Sequence, residues 1–119
     1  MLYVDIADNF ESHQKGLMFR KSLGDNSGMV FKFSNPQVLN FWGLNTYIPL
    51  DIAFVSQDGK IVKIKKIAPL SLKTVSSEVP CTIAIEANDG YFDQNRIKEG
   101  CTIEMDKDDI GFNVVKFRK

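Results

Sequence analysis

The 119-residue chain is 44% hydrophobic and 25% charged, the composition of one ordinary globular domain and not of a disordered, fibrous or disulfide-stapled chain. At this length about two-thirds of the unfolded surface can be buried, so no covalent staple is required. Lys plus Arg and Asp plus Glu balance at 15 each, so no net field draws nucleic acid or an anionic membrane, and neither is expected as a partner.

The first ten residues, MLYVDIADNF, lack the basic and long apolar regions of a signal peptide, and no apolar run approaches the length of a membrane span. A cytoplasmic location is therefore the expectation. Leu2, Val4 and Ile6 alternate with Tyr3, Asp5 and Ala7, which reads as a strand. Asp8, with Glu11 three residues later, resembles a capping box and predicts a short helix stopped by Gly16. SLGDNSG is turn chemistry. MVFKF reads as a strand ended by Ser-Asn-Pro, and QVLNFW as another, broken at Gly43. IPLDIAFV is a strand with Pro49 near its start, where a missing N–H is tolerated. The Asp-Gly signal in SQDGK predicts a hairpin to the return strand IVKIKKI. Residues 68–80, with two prolines, read as an irregular connection. CTIAIEA is a strand, DGYFDQNRI a short helix or turn, EGCTIEM a strand, DKDD a turn, and IGFNVVKF a final strand. Many short strands with one or two short helices predict a mainly β, compact antiparallel sandwich or barrel-like domain.

Most catalytic vocabulary is missing. There is no nucleophile elbow, phosphate loop or dinucleotide fingerprint. The lone His13 reads as a surface helix residue and not as a base. One histidine and the scattered Cys81 and Cys101 do not make a zinc site, and DKDD lacks the glycine and closing glutamate of a calcium loop. No metal and no cofactor is expected. Without an export signal both cysteines should be reduced. Lys63 and Lys65 alternate with Val62 and Ile64, as on the solvent face of an edge strand.

The unusual residues gather in FWGLNTYIPLDIAF, residues 41–54. Neighbours on a strand point to opposite faces, so one of Phe41 and Trp42 can fill the core while the other faces a cleft. If Leu50 and Ile52 face the core, Asp51 faces away from it, as a surface acid or in a groove with a paired cation. Arg20, which closes the apolar run Gly-Leu-Met-Phe, is the natural cation, because an arginine fork matches a carboxylate. Arg20, Trp42, Asn45, Thr46 and Asp51 are the candidate ligand-binding residues. A structural Arg–Asp link is the competing reading.

The same stretches, GLMFR at 16–20, GMVFKF at 28–33 and FWGLNTYIPLDIAF, resemble the signature of a widespread microbial family of uncharacterised small domains, the domain of unknown function numbered one hundred and ninety-two. DGKIVKI and DGYFDQNRIKEG fit more loosely. The resemblance covers about residues 2–105 and leaves an added strand at about 110–118 within one domain of 1–119. It implies a compact, mostly β sandwich-like domain without a known cofactor, and no particular activity. The motif positions it carries over are Gly16, Arg20, Gly28, Phe41, Trp42, Asn45, Thr46, Pro49, Leu50 and Asp51. The family usually has methionine where this chain has Gly43, and a cysteine that often follows the proline of APLS is missing here.

Three functions fit these residues. A non-enzymatic binding module would hold a small ligand or a partner's segment in a groove near Trp42, Asn45 and Asp51. A hydrolase would use Asp51 as general base, with Arg20 or Asn45 stabilising negative charge. A structural accessory domain would use the motif only to lock the fold. The lack of any nucleophile–base signature weighs against an enzyme.

Overall fold

The computed structural model describes residues 1–119. Seven strands and two short helices follow in the order β1 (Leu2–Ala7), α1 (Phe10–Lys15), β2 (Ser27–Phe41), β3 (Leu50–Val55), β4 (Ile61–Ile67), β5 (Val75–Asn88), α2 (Tyr91–Gln94), β6 (Thr102–Lys107) and β7 (Asn113–Arg118). They form one sheet in the order β4-β3-β5-β2-β1-β7-β6. All neighbours are antiparallel except β1 and β2. The sheet curls until its two edge strands meet at one end. There Lys60 bridges Thr102, the Ile61 N–H donates to the Cys101 carbonyl at 2.8 Å, and the Ile103 N–H donates to that of Gly59 at 2.9 Å. The result is a half-barrel, and the mainly β expectation holds.

The parallel pair is the one departure from the expected antiparallel sheet. Parallel neighbours need a crossover of a dozen or more residues. Here the crossover is residues 8–26, and it carries α1. That helix caps one residue later than expected. The Asn9 side chain accepts from the Ser12 N–H at 2.8 Å while the Asn9 N–H donates to the Ser12 hydroxyl at 3.1 Å, so Asn9 and Ser12 form the reciprocal box in place of Asp8 and Glu11. Gly16 ends the helix with φ of 45°, as the sequence indicates.

Two segments read separately in the sequence are joined. MVFKF and QVLNFW form one long β2, because Pro36 sits in an exposed bulge where the register against β5 slips between Lys32 and Gln37. β5 likewise begins at Val75, inside the supposed irregular connection. Buried Ser77 makes this possible: the Leu39 N–H donates to its hydroxyl at 2.8 Å, and that hydroxyl donates to the Val79 carbonyl at 2.8 Å. A side chain thus supplies the bonds that the broken ladder omits.

Apolar residues fill both faces of the sheet. The inner face packs Val4, Val30, Ala53, Val55, Ile85 and Val115 against Tyr91 and Phe92 of α2. The outer face packs Phe31, Leu50, Ile52, Phe54 and Ala84 against Leu17 of the crossover. β3 lies between β4 and β5 with both faces covered, so all six of its residues are buried. β7, the expected added strand, lies between β1 and β6.

Cys81 belongs to the outer cluster and Cys101 to the inner one, so the sheet itself separates the two thiols. Burial pushes the Cys81 thiol above its ordinary value, which lowers its thiolate fraction. Both cysteines are expected to resist a thiol reagent in the native protein and to react fully once it is unfolded without reductant. A thiol count of zero in the unfolded, unreduced chain would overturn this.

Candidate functional site

Above the outer face lies a groove of about 800 Å³. Its floor is sheet: Phe31, Phe33, Asn40 and Phe41 from β2, and Glu86 from β5. α1 forms one wall through Phe10 and His13. The segments after α1 and after β2 form the others, through Leu17, Phe19, Trp42, Asn45 and Thr46. Six aromatic and imidazole rings, those of Phe10, His13, Phe19, Phe31, Phe33 and Trp42, therefore look onto one space beside Phe41.

The wall segments are held by backbone bonds. The Phe19 N–H donates to the Asn45 carbonyl at 2.8 Å, and both residues have positive φ, 66° and 53°. Asparagine tolerates that conformation, whereas for phenylalanine it is strained. Behind this wall the Leu70 N–H donates to the Thr46 carbonyl at 2.9 Å and the Gly43 N–H to that of Ser71 at 2.8 Å. Gly43 is a close-approach glycine, though not a positive-φ one. A methyl group there would run into the Ala68 carbonyl and come within 3.0 Å of the Ser71 nitrogen. Gly43→Met is expected to lower stability by about 1–3 kcal/mol, read as the urea midpoint. An unchanged or higher midpoint would show that residues 68–71 move aside freely.

The aromatic pair divides as its strand alternation suggests. Phe41 turns inward, its ring edge-on to Phe31 at 4.9 Å between centroids, while Trp42 stays 47% exposed at the rim. Thr46 is buried, and its hydroxyl donates to the Leu44 carbonyl at 3.2 Å. His13 is not a free surface residue. Its Nε2 lies 2.9 Å from the Ala7 carbonyl and 2.7 Å from the Lys32 carbonyl. Both are acceptors, so Nε2 must carry the proton and tie α1 to the end of β1 and to β2 at its bulge. The ring stacks on Phe33 at 4.2 Å.

Two expectations about the acid of β3 need correction. Asp51 does not meet Arg20, and it does not face the groove. It shares its face with Ala53 and Val55, on the inner side, where it is 2% exposed. Its carboxylate accepts from Lys66 Nζ at 2.7 Å, from the Gly90 N–H at 3.1 Å and from the Phe92 N–H at 3.4 Å. Asp51 therefore fastens the start of α2 to the sheet. Lys66, which also pairs with Asp89 at 2.8 Å, is held above the usual lysine range by these two carboxylates, Asp51 foremost. Arg20 reaches Asp5 instead, at 3.1 Å, in an exposed pair. The reason for both is the buried second face of β3: a residue pointing away from the outer cluster enters the inner one. Of the five sequence candidates, Trp42, Asn45 and Thr46 line the groove, and Arg20 and Asp51 do not.

Glu86 is the residue that sequence reasoning passed over. It stands opposite Met29 on one neighbouring strand and Ile52 on the other. It is 5% exposed and makes no hydrogen bond or ion pair, and burial alone pushes its carboxyl up to about 8. No side-chain polar atom of the protein is both fully sealed and unpartnered, so this carboxyl keeps some exposed surface, and Glu86 lines the groove. The available signal was an acid inside the apolar run CTIAIEA, the same signal that singles out Asp51 in LDIAFV.

Comparisons with known proteins bear on the family and the fold. A family model described as DUF192, uncharacterized ACR, matches residues 1–105. A crystal structure from Sinorhizobium meliloti 1021, described as a candidate transcription regulator, superposes with a TM-score of 0.82 at 26% identity, covering 98% of this chain and 81% of that one. A protein of unknown function from Novosphingobium aromaticivorans DSM 12444 gives a TM-score of 0.79 at 32% identity, covering 95% of this chain and 73% of that one. A search of the curated proteins finds no match.

Proposed function

The chain belongs to the DUF192 family, and we propose that within it this domain is a non-enzymatic binding module whose outer-face groove holds a small, largely apolar ligand. The observation that carries the reading is the groove's make-up: a volume of about 800 Å³ with nine hydrophobic residues among its eighteen, six of them aromatic, and polar side chains between them. Small-molecule sites are concave, mainly apolar and of about 300–1,000 Å³, with a small number of placed polar groups that set orientation. Asn45, Thr46 and Glu86 are among those groups here. A hydrolase built on Asp51 has no support, because that carboxylate is occupied by Lys66 and two backbone N–H groups on the other side of the sheet.

Trp42 is the only tryptophan and stands at the groove's rim, so its fluorescence reports occupancy. A library of small aromatic and aliphatic amphiphiles should include members that shift Trp42 emission and raise the melting temperature. For those compounds Trp42→Ala should weaken binding, followed by melting temperature, by tenfold or more, about 1.4 kcal/mol. Amide shifts of bound compounds mapping to another surface, or no compound giving a thermal shift, would overturn the reading.

A further inference from the structure

Resting on that groove, we propose that its ligand is a small apolar amine, whose ammonium group enters among the aromatic rings and pairs with the Glu86 carboxylate. The structure supplies one half of such a pair and leaves it unmatched. Glu86 is 5% exposed, lines the groove, and has no donor from any other part of the chain. A carboxyl removed from water is tolerated when charged only if a cation or hydrogen bonds compensate it. Its cross-strand neighbours Met29 and Ile52 can offer neither.

The surrounding rings fit the same occupant. A cation within about 6 Å of an aromatic face is attracted by the ring quadrupole, and more strongly where water is excluded. Phe31, Phe33, Phe41 and Trp42 look onto the space that Glu86 lines, and Phe10 and Phe19 stand exposed beside it to cover an apolar body. An anion would be repelled by the Glu86 carboxylate, and a neutral ligand could hydrogen-bond the carboxyl but supply no countercharge to its ionised form. A primary amine on a hydrocarbon frame answers both the charge and the rings.

Proton linkage follows. In the empty groove burial holds the Glu86 proton to about pH 8. An entering ammonium favours the carboxylate, so binding near neutral pH releases a proton, and amine affinity rises with pH up to that point. The other titratable groups on the groove's walls are Glu11, His13 and Lys15, all of α1. Directly opposite Glu86 on β2 and β3 stand the uncharged Met29 and Ile52. The Glu86→Gln variant therefore separates the contribution of Glu86 from that of α1.

The test is an NMR titration of the protein with benzylamine and hexylamine, set against benzyl alcohol, hexanol and benzoate, near pH 6 and near pH 8. The amines should bind tenfold or more tighter than the matching alcohols at the higher pH, with a smaller margin at the lower one. Amide shifts should centre on residues 84–88 and 41–46. Glu86→Gln should bind amines and alcohols alike at both values. Equal binding of amines and alcohols by the wild type, a preference for benzoate, or an amine preference kept by Glu86→Gln would overturn the amine assignment and leave the groove reading standing. No binding of any probe, with no thermal shift from the wider library, would overturn both.

Discussion

Glu86→Gln is expected to stabilise the fold, and by more at high pH than at low pH. The folded protein holds the Glu86 proton up to about 8, against 4.5 for the ordinary carboxyl, with desolvation as the sole cause. Between those values the folded state binds more protons than the unfolded chain. This contribution is therefore fully present below the unfolded value and is lost as pH rises through the folded one. Within the window the wild type should lose up to about 1.4 kcal/mol per pH unit from this group, with a total of roughly 4–5 kcal/mol as the upper figure. Glutamine has no proton to lose. The variant should match the wild type within about 1 kcal/mol near pH 4.5 and exceed it by several near pH 8.5, judged by urea unfolding across the series. Parallel pH curves for the two proteins would mean that the Glu86 carboxyl is solvated after all. A cation reaching the Glu86 carboxylate, as the proposed amine does, would offset this loss.

The second large effect is a loss. Asp51→Ala should destabilise the domain by about 2–4 kcal/mol. The substitution strips an acceptor from the Gly90 and Phe92 N–H groups, the latter buried, and so loosens α2 from the inner cluster. Each unsatisfied buried donor costs about 1–3 kcal/mol. The ion pair adds less, because the Lys66 side chain is 67% exposed and water screens it. Lys66→Met should therefore cost less than Asp51→Ala. A double-mutant cycle should show coupling between Asp51 and Lys66, and additivity between Asp51 and Arg20, whose partner is Asp5. Coupling of Asp51 to Arg20, or a loss below about 0.5 kcal/mol for Asp51→Ala, would refute this arrangement.

Local chemistry was legible wherever it depends on near neighbours. β1 spans the residues its alternation indicates, Gly16 ends α1, and the Asp-Gly turn joins β3 to β4. The family motifs drew attention to Trp42, Asn45 and Thr46, which do line the groove. Errors came where partners are distant. Ser77, which keeps the SSEVP stretch in the sheet, works through Leu39, thirty-eight positions away. The capping box moved by one residue because Asn9 and Ser12 satisfy each other's backbone and side chain directly.

The amino-acid sequence by itself determined a mainly β domain, its turns, and the residues of the motif that carries the family. Tertiary structure alone decided which carboxylate matters to the groove. Alternation along a strand says that Asp51 and Leu50 point to opposite faces, but not that both faces are buried. That depends on β3 taking β4 and β5 as neighbours while α2 covers one side and the crossover the other. Two acids in two apolar strands look alike in sequence. Asp51 meets a lysine and the start of a helix, Glu86 meets methionine, isoleucine and an aromatic groove. The difference is set by contacts between residues far apart in the chain, which fix whether a buried carboxyl finds a partner within the protein or none.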